Sequence, residues 1–192
     1  EKKYDKLKKE IIELIHNIKN DNDMLLITNK IFLIASSNRN LCELYSKLYK
    51  ELIHVNKDFL FIFQDNFVTY IEILKTIDYV SSNEDYDLYC DYVKKVDKLI
   101  SSLYFFISLM KIKICTMDNI ITLLENLINT LNNELNRENS SNEYKEELMN
   151  SIFIIFKETI HDMKLNKKYP QIQQEIQNIK KNSNISKKIN FK

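Results

Sequence analysis

The chain contains no glycine and a single proline, Pro170, in 192 residues. Tight hairpins need the positive backbone φ that glycine adopts without steric penalty, and glycine and proline together punctuate the loops of sheet proteins. A β or α/β chain of this length would lack its turn chemistry. Helices can be joined by short polar links of Asn, Ser and Asp, which are abundant here. Apolar residues recur every three or four positions almost throughout, so the expected fold is all-α.

The periodicity predicts a first helix over about Lys3 to Lys19, with Tyr4, Leu7, Ile11, Leu14, Ile15 and Ile18 on one stripe. The run from Asn20 to Asp23 ends it and supplies caps for a second helix, Met24 to about Ser36. A third carries Leu41, Leu44, Tyr45, Leu48, Tyr49 and Leu52, and a fourth carries Phe59, Ile62, Phe63, Phe67, Tyr70, Ile71 and Leu74 toward Asp78. A long fifth helix, Glu84 to about Lys113, has a stripe from Tyr86 and Tyr89 through Val93 and Val96 to Ile100, Leu103, Ile107 and Met110. Its second half is apolar nearly all round and is expected to be central. Thr116 caps a sixth helix to about Leu135, and Ser140-x-x-Glu143 reads as a capping box opening a seventh, to about Met163. Pro170 suits the first turn of an eighth, to about Lys181, and Ile185 to Lys192 begins a ninth that the chain cuts short.

Taken in pairs, these helices start near residues 3, 41, 84 and 142. The intervals lie near the roughly 40 to 47 residues of a HEAT-type helical pair, the last one stretched by an Asn-rich loop. Spacing therefore favours a right-handed α-solenoid of HEAT-type antiparallel helix pairs, one domain over residues 1–192, above an irregular bundle.

The formal net charge is +1, too small to drive the whole molecule toward nucleic acid or an anionic membrane. Its distribution is uneven. From Lys164 onward eight lysines face one acid, Glu175, so this end carries +7 and residues 1–163 carry −6. The widely spaced Cys42, Cys90 and Cys115 form neither a disulfide framework nor a zinc motif, which fits a reducing cytoplasm. The longest apolar stretch, Leu99 to Met110, falls short of the roughly 20 residues a bilayer crossing needs. The chain opens without Met and without a secretion-signal pattern, as expected of an excised domain. Its wealth of Lys, Asn and Ile, read from AT-rich codons, points to a source such as a protist or a large DNA virus.

Nothing in the sequence reads as catalytic, and no cofactor or metal is called for. His16, His54 and His161 are isolated, and without glycine neither a phosphate-cradling loop nor a nucleophile elbow can be built in the usual way. The 11 Tyr and 10 Phe could stack on bases, but Tyr45, Tyr49, Phe63, Phe67, Tyr70 and Phe106 lie on the apolar stripes and read as core. Two charged features stand out. Asp78, Glu84, Asp85, Asp87 and Asp91 occupy a stretch free of Lys and Arg; they are either a solvated loop favoured at a helix N-terminus or an acidic contact for a basic partner. Lys164, Lys167, Lys168, Lys180, Lys181, Lys187 and Lys188 are either a solvating cap or a set of RNA phosphate contacts. Lys94, Lys95 and Lys98 could belong to either surface.

Three stretches resemble the middle domain of eukaryotic translation initiation factor 4G, a HEAT-repeat domain. Ile11-Ile12-Glu13-Leu14-Ile15-His16-Asn17-Ile18 with Met24 to Ile34 looks like its opening helical pair. Leu41-Cys42-Glu43-Leu44-Tyr45-Ser46-Lys47-Leu48-Tyr49-Lys50-Glu51-Leu52, after the loop Ser36 to Asn40, resembles its "LYAxLYKEL" signature. Ile185-Ser186-Lys187-Lys188-Ile189-Asn190-Phe191 looks like its "ISxRIRF" segment, with lysines where the family has arginines. Asp78-Tyr79-Val80 and Asn83 to Tyr92 look most like the version of this domain encoded by giant DNA viruses.

The resemblance implies a binding scaffold, not an enzyme. It would be cytoplasmic, in the host cytoplasm if viral, and would orient a DEAD-box RNA helicase of initiation factor 4A type. mRNA is a possible second partner, other initiation factors would join through segments outside this chain, and no membrane is involved. On this reading the Asp78 to Asp91 acids contact the helicase and the terminal lysines contact RNA. Two rival expectations are an RNA-binding HEAT domain of RNA decay, splicing or export, and a structural helical protein of an AT-rich parasite.

Overall fold

The computed structural model describes residues 2–181 except 78, 84 and 139. All regular structure among them is helical. The helices are α1 (Lys2–Asn17), α2 (Asp21–Ser36), α3 (Cys42–Val55), α4 (Asp58–Thr76), α5 (Tyr86–Lys111), α6 (Met117–Asn136), α7 (Asn142–Met163) and α8 (Tyr169–Lys180), with one 3-10 turn at Arg39–Leu41 ahead of α3. The ninth helix expected from Ile185 onward lies outside the described residues.

Side-chain caps set most of the starts. Asn20 Oδ1 accepts from the Asn22 N–H at 2.9 Å, so α2 begins at Asp21, a turn before the first stripe residue Met24. Asp85, in extended backbone, accepts from the Leu88 N–H at 2.9 Å and moves the start of α5 to Tyr86. Thr116 and Asn119 cap each other reciprocally at the start of α6. The capping box expected from Ser140 and Glu143 at the start of α7 does not form, and Ser141 alone caps the helix. Ser141, not Ser140, accepts from the Tyr144 N–H at 3.2 Å, while the Ser140 hydroxyl donates to the Glu134 carboxylate. The Ser141 hydroxyl donates to the Glu143 carboxylate at 2.7 Å.

A chain without glycine must still leave its helices. Lys113 has φ 67°, the left-handed position usually given to glycine. Around it the Lys113 N–H donates to Met110 O and the Ile114 N–H to Leu109 O, both at 2.9 Å, which satisfies the last carbonyls of α5. A Cβ in that conformation costs about 1–2 kcal/mol. Elsewhere the helices stop in extended or right-handed residues such as Ser37 and Asn56, whose N–H groups donate to Leu33 O and Leu52 O.

Packing follows an alternation. α1 lies against α3, α3 against α5 and α5 against α7, while α2 lies against α4, α4 against α6 and α6 against α8. The two rows touch through α2 with α3 and α5, α3 with α4, α5 with α6, and most extensively α6 with α7. The core they enclose has an aromatic and an aliphatic part. In the aromatic part the Phe106 ring lies 6.4, 6.0, 5.2 and 5.3 Å from the rings of Phe32, Phe63, Phe67 and Tyr70, edge to face with all but Phe32, and Phe105 lies 5.7 Å from both Phe32 and Tyr49. The aliphatic part is built from Leu103, Ile107 and Leu109 of α5, Ile120, Leu124, Leu127 and Ile128 of α6, and Ile152 and Ile155 of α7. Each such buried side chain contributes about 1.5–3 kcal/mol.

The core reading of the aromatics holds for Tyr49, Phe63, Phe67, Tyr70 and Phe106, which are buried, whereas Tyr45 is half-buried. Two buried phenols also tie helices together. Tyr49 Oη donates to Phe59 O at 2.6 Å and Tyr144 Oη donates to Leu74 O at 3.1 Å. No helix among the described residues is long and apolar enough to cross a membrane.

Candidate interaction surfaces

The five acids singled out in the sequence have unlike surroundings. Asp78 and Glu84 lie outside the described residues. Asp85 caps α5, and Asp87, exposed in its first turn, favours the positive end of the helix dipole. Asp91 pairs with Lys94 at 3.0 Å, an exposed contact that holds the Lys94 ammonium above its ordinary pKa through that hydrogen bond. The structure thus employs Asp85 and Asp91 locally and leaves Asp87 open to solvent.

The lysines of the basic end are also divided. Lys164 and Lys167 are exposed in the link between α7 and α8, and Lys168 Nζ reaches both Glu125 oxygens on α6, at 2.8 and 3.1 Å. Lys180 and Lys181 are exposed at the far end of α8, which spans 12 residues, or about 18 Å. Lys187 and Lys188 lie outside the described residues. The three histidines are exposed in the last turns of α1, α3 and α7. The cysteines are free thiols, and burial pushes that of Cys115 up to about 12.

Concave surface gathers around the first half of α5. On one side a groove of about 590 Å³ opens between α2, α4 and α5, with Phe32, Tyr70, Leu99 and Phe106 in its wall and Lys95, Lys98 and Asp91 among its polar residues. On the other side a groove of about 330 Å³ opens between α5 and α7, lined by Tyr79, Tyr89, Tyr92, Val93, Val96, Asp97, Ile100, Glu143, Glu146 and Glu147. The two differ in sign. The first carries two ammonium groups and one carboxylate, and the second carries four carboxylates with no basic side chain. Lys94, Lys95 and Lys98 are thereby separated: Lys94 is held by Asp91, and the other two belong to the first groove.

Tyr70 and Tyr92 add a further feature. Their hydroxyls are buried and have no hydrogen-bond partner among the described residues, unlike those of Tyr49 and Tyr144. Burial raises the pKa of both, and for Tyr92 the charge of Glu147 and the neighbouring Tyr144, Tyr79 and Tyr89 raise it further.

Sequence reasoning missed the second groove. Tyr89, Val93, Asp97 and Ile100 fall on one face of α5 at helical spacing, and Glu143, Glu146 and Glu147 on one face of α7. Each half reads as an ordinary helix face, and only the packing of α7 on α5 joins them. A third groove, of about 460 Å³, is lined almost wholly by apolar residues such as Leu7, Ile11, Ile34, Leu41 and Leu44 between α1, α2 and α3.

The fold and its surfaces define an all-helical chain with grooves of opposite charge on either side of one helix. Comparison with protein-family models, with curated proteins and with solved structures finds no match.

Proposed function

We propose that the chain is a right-handed α-solenoid of HEAT-type antiparallel helix pairs, of the kind found in the middle domain of initiation factor 4G, and that it works as a binding scaffold for a DEAD-box RNA helicase of initiation factor 4A type. The observation that carries this reading is the alternation of contacts, with odd-numbered helices packed on odd and even-numbered on even. Apart from the contact of α2 with α5, which joins the first unit to the third, that is the pattern expected when two-helix units stack and each unit touches its neighbours. The links within the units, residues 18–20, 56–57, 112–116 and 164–168, are short, as antiparallel partners require. The motif resemblance supplies the choice of partner. An up-down bundle, the architecture of the rival structural reading, would place sequential neighbours together without these two rows.

Such a stack offers surfaces at fixed separation, so that two lobes of a helicase bound to it are held near their closed arrangement and closing them costs less. The solvent-exposed start of α5, including Asp87, is the surface assigned to the helicase, and the terminal lysines are assigned to mRNA. The protein acts in the cytoplasm and performs no catalysis of its own. Mixing it with an initiation factor 4A homologue is expected to raise RNA-dependent ATPase activity; absence of binding at micromolar concentration contradicts the proposal. RNA filter binding across a salt series separates the RNA-binding alternative, which requires high affinity with a steep salt slope.

A further inference from the structure

The groove between α2, α4 and α5 contains a buried donor without an acceptor. Tyr70 is only 4% exposed, and its Oη has no hydrogen-bond partner among the described residues. It sits in the middle of the α4 face that lines this groove, with Asn66, Thr69, Ile73 and Ile77 at helical spacing around it, and it lines neither of the other two grooves described above. Tyr92, the second phenol without a partner, stands in the same wall and also borders the α7 side. Burial raises the pKa of Tyr70, so its hydroxyl keeps its proton at neutral pH. A buried hydroxyl without a partner is costly, and an acceptor oxygen brought into the groove removes that cost.

The cations of this groove are unclaimed as well. Lys95 and Lys98, exposed on one face of α5, form no ion pair among the described residues, whereas the one carboxylate of the groove, Asp91, is engaged by Lys94. The groove is also long and largely apolar. Its lining follows α5 from Leu88 to Phe106, a rise of about 27 Å, and Leu33, Ile73 and Leu88 in its wall are open to solvent. The volume of about 590 Å³ falls within the roughly 300–1,000 Å³ of small-molecule sites.

We infer that this groove binds a small amphipathic carboxylate of the fatty-acid class, a hydrocarbon chain with one acidic head. The chain covers the open apolar wall, the head accepts a hydrogen bond from Tyr70 Oη, and the ammonium groups of Lys95 and Lys98, on flexible stems, neutralise it. A neutral chain leaves the two ammonium groups unused, and a cationic one is repelled by them. A compact anion such as phosphate leaves the apolar wall in water. The inference goes beyond the helicase proposal and does not depend on it.

The test titrates the full chain with decanoate below its micelle concentration, beside decanol, decylammonium and inorganic phosphate, followed by NMR. The expected result is saturable shifts at Tyr70, Ile73 and Leu99, binding at least about tenfold weaker for decanol, and none for decylammonium or phosphate. Lys95→Gln combined with Lys98→Gln is expected to weaken decanoate at least about tenfold and to leave decanol unchanged. The same change at Lys9 and Lys47, which lie outside the groove, is expected to alter neither. Tyr70→Phe separates a ligand contact from a structural one: decanoate affinity is expected to fall about tenfold while the unfolding midpoint of the free protein does not drop. Ile73→Trp fills the groove from its open side and is expected to abolish binding, with unfolding midpoints confirming that each variant is folded. Equal binding of decanol, shifts confined to the apolar groove between α1, α2 and α3, or unchanged affinity in Tyr70→Phe overturns the inference. So does a response to anionic phospholipid vesicles or to an acidic peptide in the absence of any response to decanoate. A helicase that binds while decanoate does not defeats this inference alone; the converse defeats only the helicase proposal.

Discussion

The two halves of α5 have the same helical period and opposite fates. From Ser101 to Met110 every residue but the half-buried Tyr104 is buried, with Leu103, Phe105 and Leu109 fully enclosed by α2, α3, α6 and α7. From Tyr86 to Ile100 only Tyr92 is buried; Tyr86 is 68% exposed and Val93 44%. The second half is where the aromatic and aliphatic parts of the core meet, and the first half separates two grooves of opposite charge. One helix thus anchors the fold at one end and presents binding surface at the other.

Substitutions can break or sharpen this division. The largest effect is expected from Phe106→Ala, which removes the ring at the centre of the aromatic cluster and costs about 3–5 kcal/mol, against less than about 1 kcal/mol for Val93→Ala in the first half, both read by denaturant unfolding. Comparable losses would erase the distinction. Tyr49→Phe removes a buried donor from Phe59 O and is expected to cost about 1–2 kcal/mol, whereas Tyr70→Phe and Tyr92→Phe delete hydroxyls that bond to nothing and are expected to be neutral or stabilising. Lys113→Gly, where the buried half of α5 turns into α6, relieves the left-handed backbone and should raise stability by about 1 kcal/mol.

Thiol reactivity samples the open half of α5 and the link that follows its buried half. Alkylation needs the thiolate, and with its pKa pushed up to about 12 the Cys115 thiol is ionised at pH 8 in only about one molecule in 10⁴. Half-buried Cys90, in the open half, is therefore expected to react first with iodoacetamide. The smallest effect belongs to Asp91→Asn, which breaks an exposed pair with Lys94 and should leave the unfolding midpoint unchanged.

Much of the helical order was legible in the sequence, because the 3.6-residue stripe and the polar breaks are local signals. The cap Thr116 and the first-turn Pro170 fell where expected, while α7 is capped by Ser141 and the Ser140 hydroxyl is engaged by Glu134 of a different helix. Burial was less legible. Leu14 lies on the α1 stripe yet is 61% exposed, and Leu41 and Leu44 lie on the α3 stripe yet remain open to the apolar groove beside α1. A stripe states which face would be buried, and a neighbour must then cover it. The anionic groove was not legible at all, since Tyr89 and Glu146 are far apart in the chain and meet only through the packing of α5 on α7.

Residue-resolved hydrogen exchange along α5 tests the division most directly. Amides of Leu103 to Met110 are expected to exchange only through global unfolding, while those of Tyr89 to Lys98 exchange through local opening, on the order of 100-fold faster or more. Uniform protection from one end of α5 to the other would contradict it.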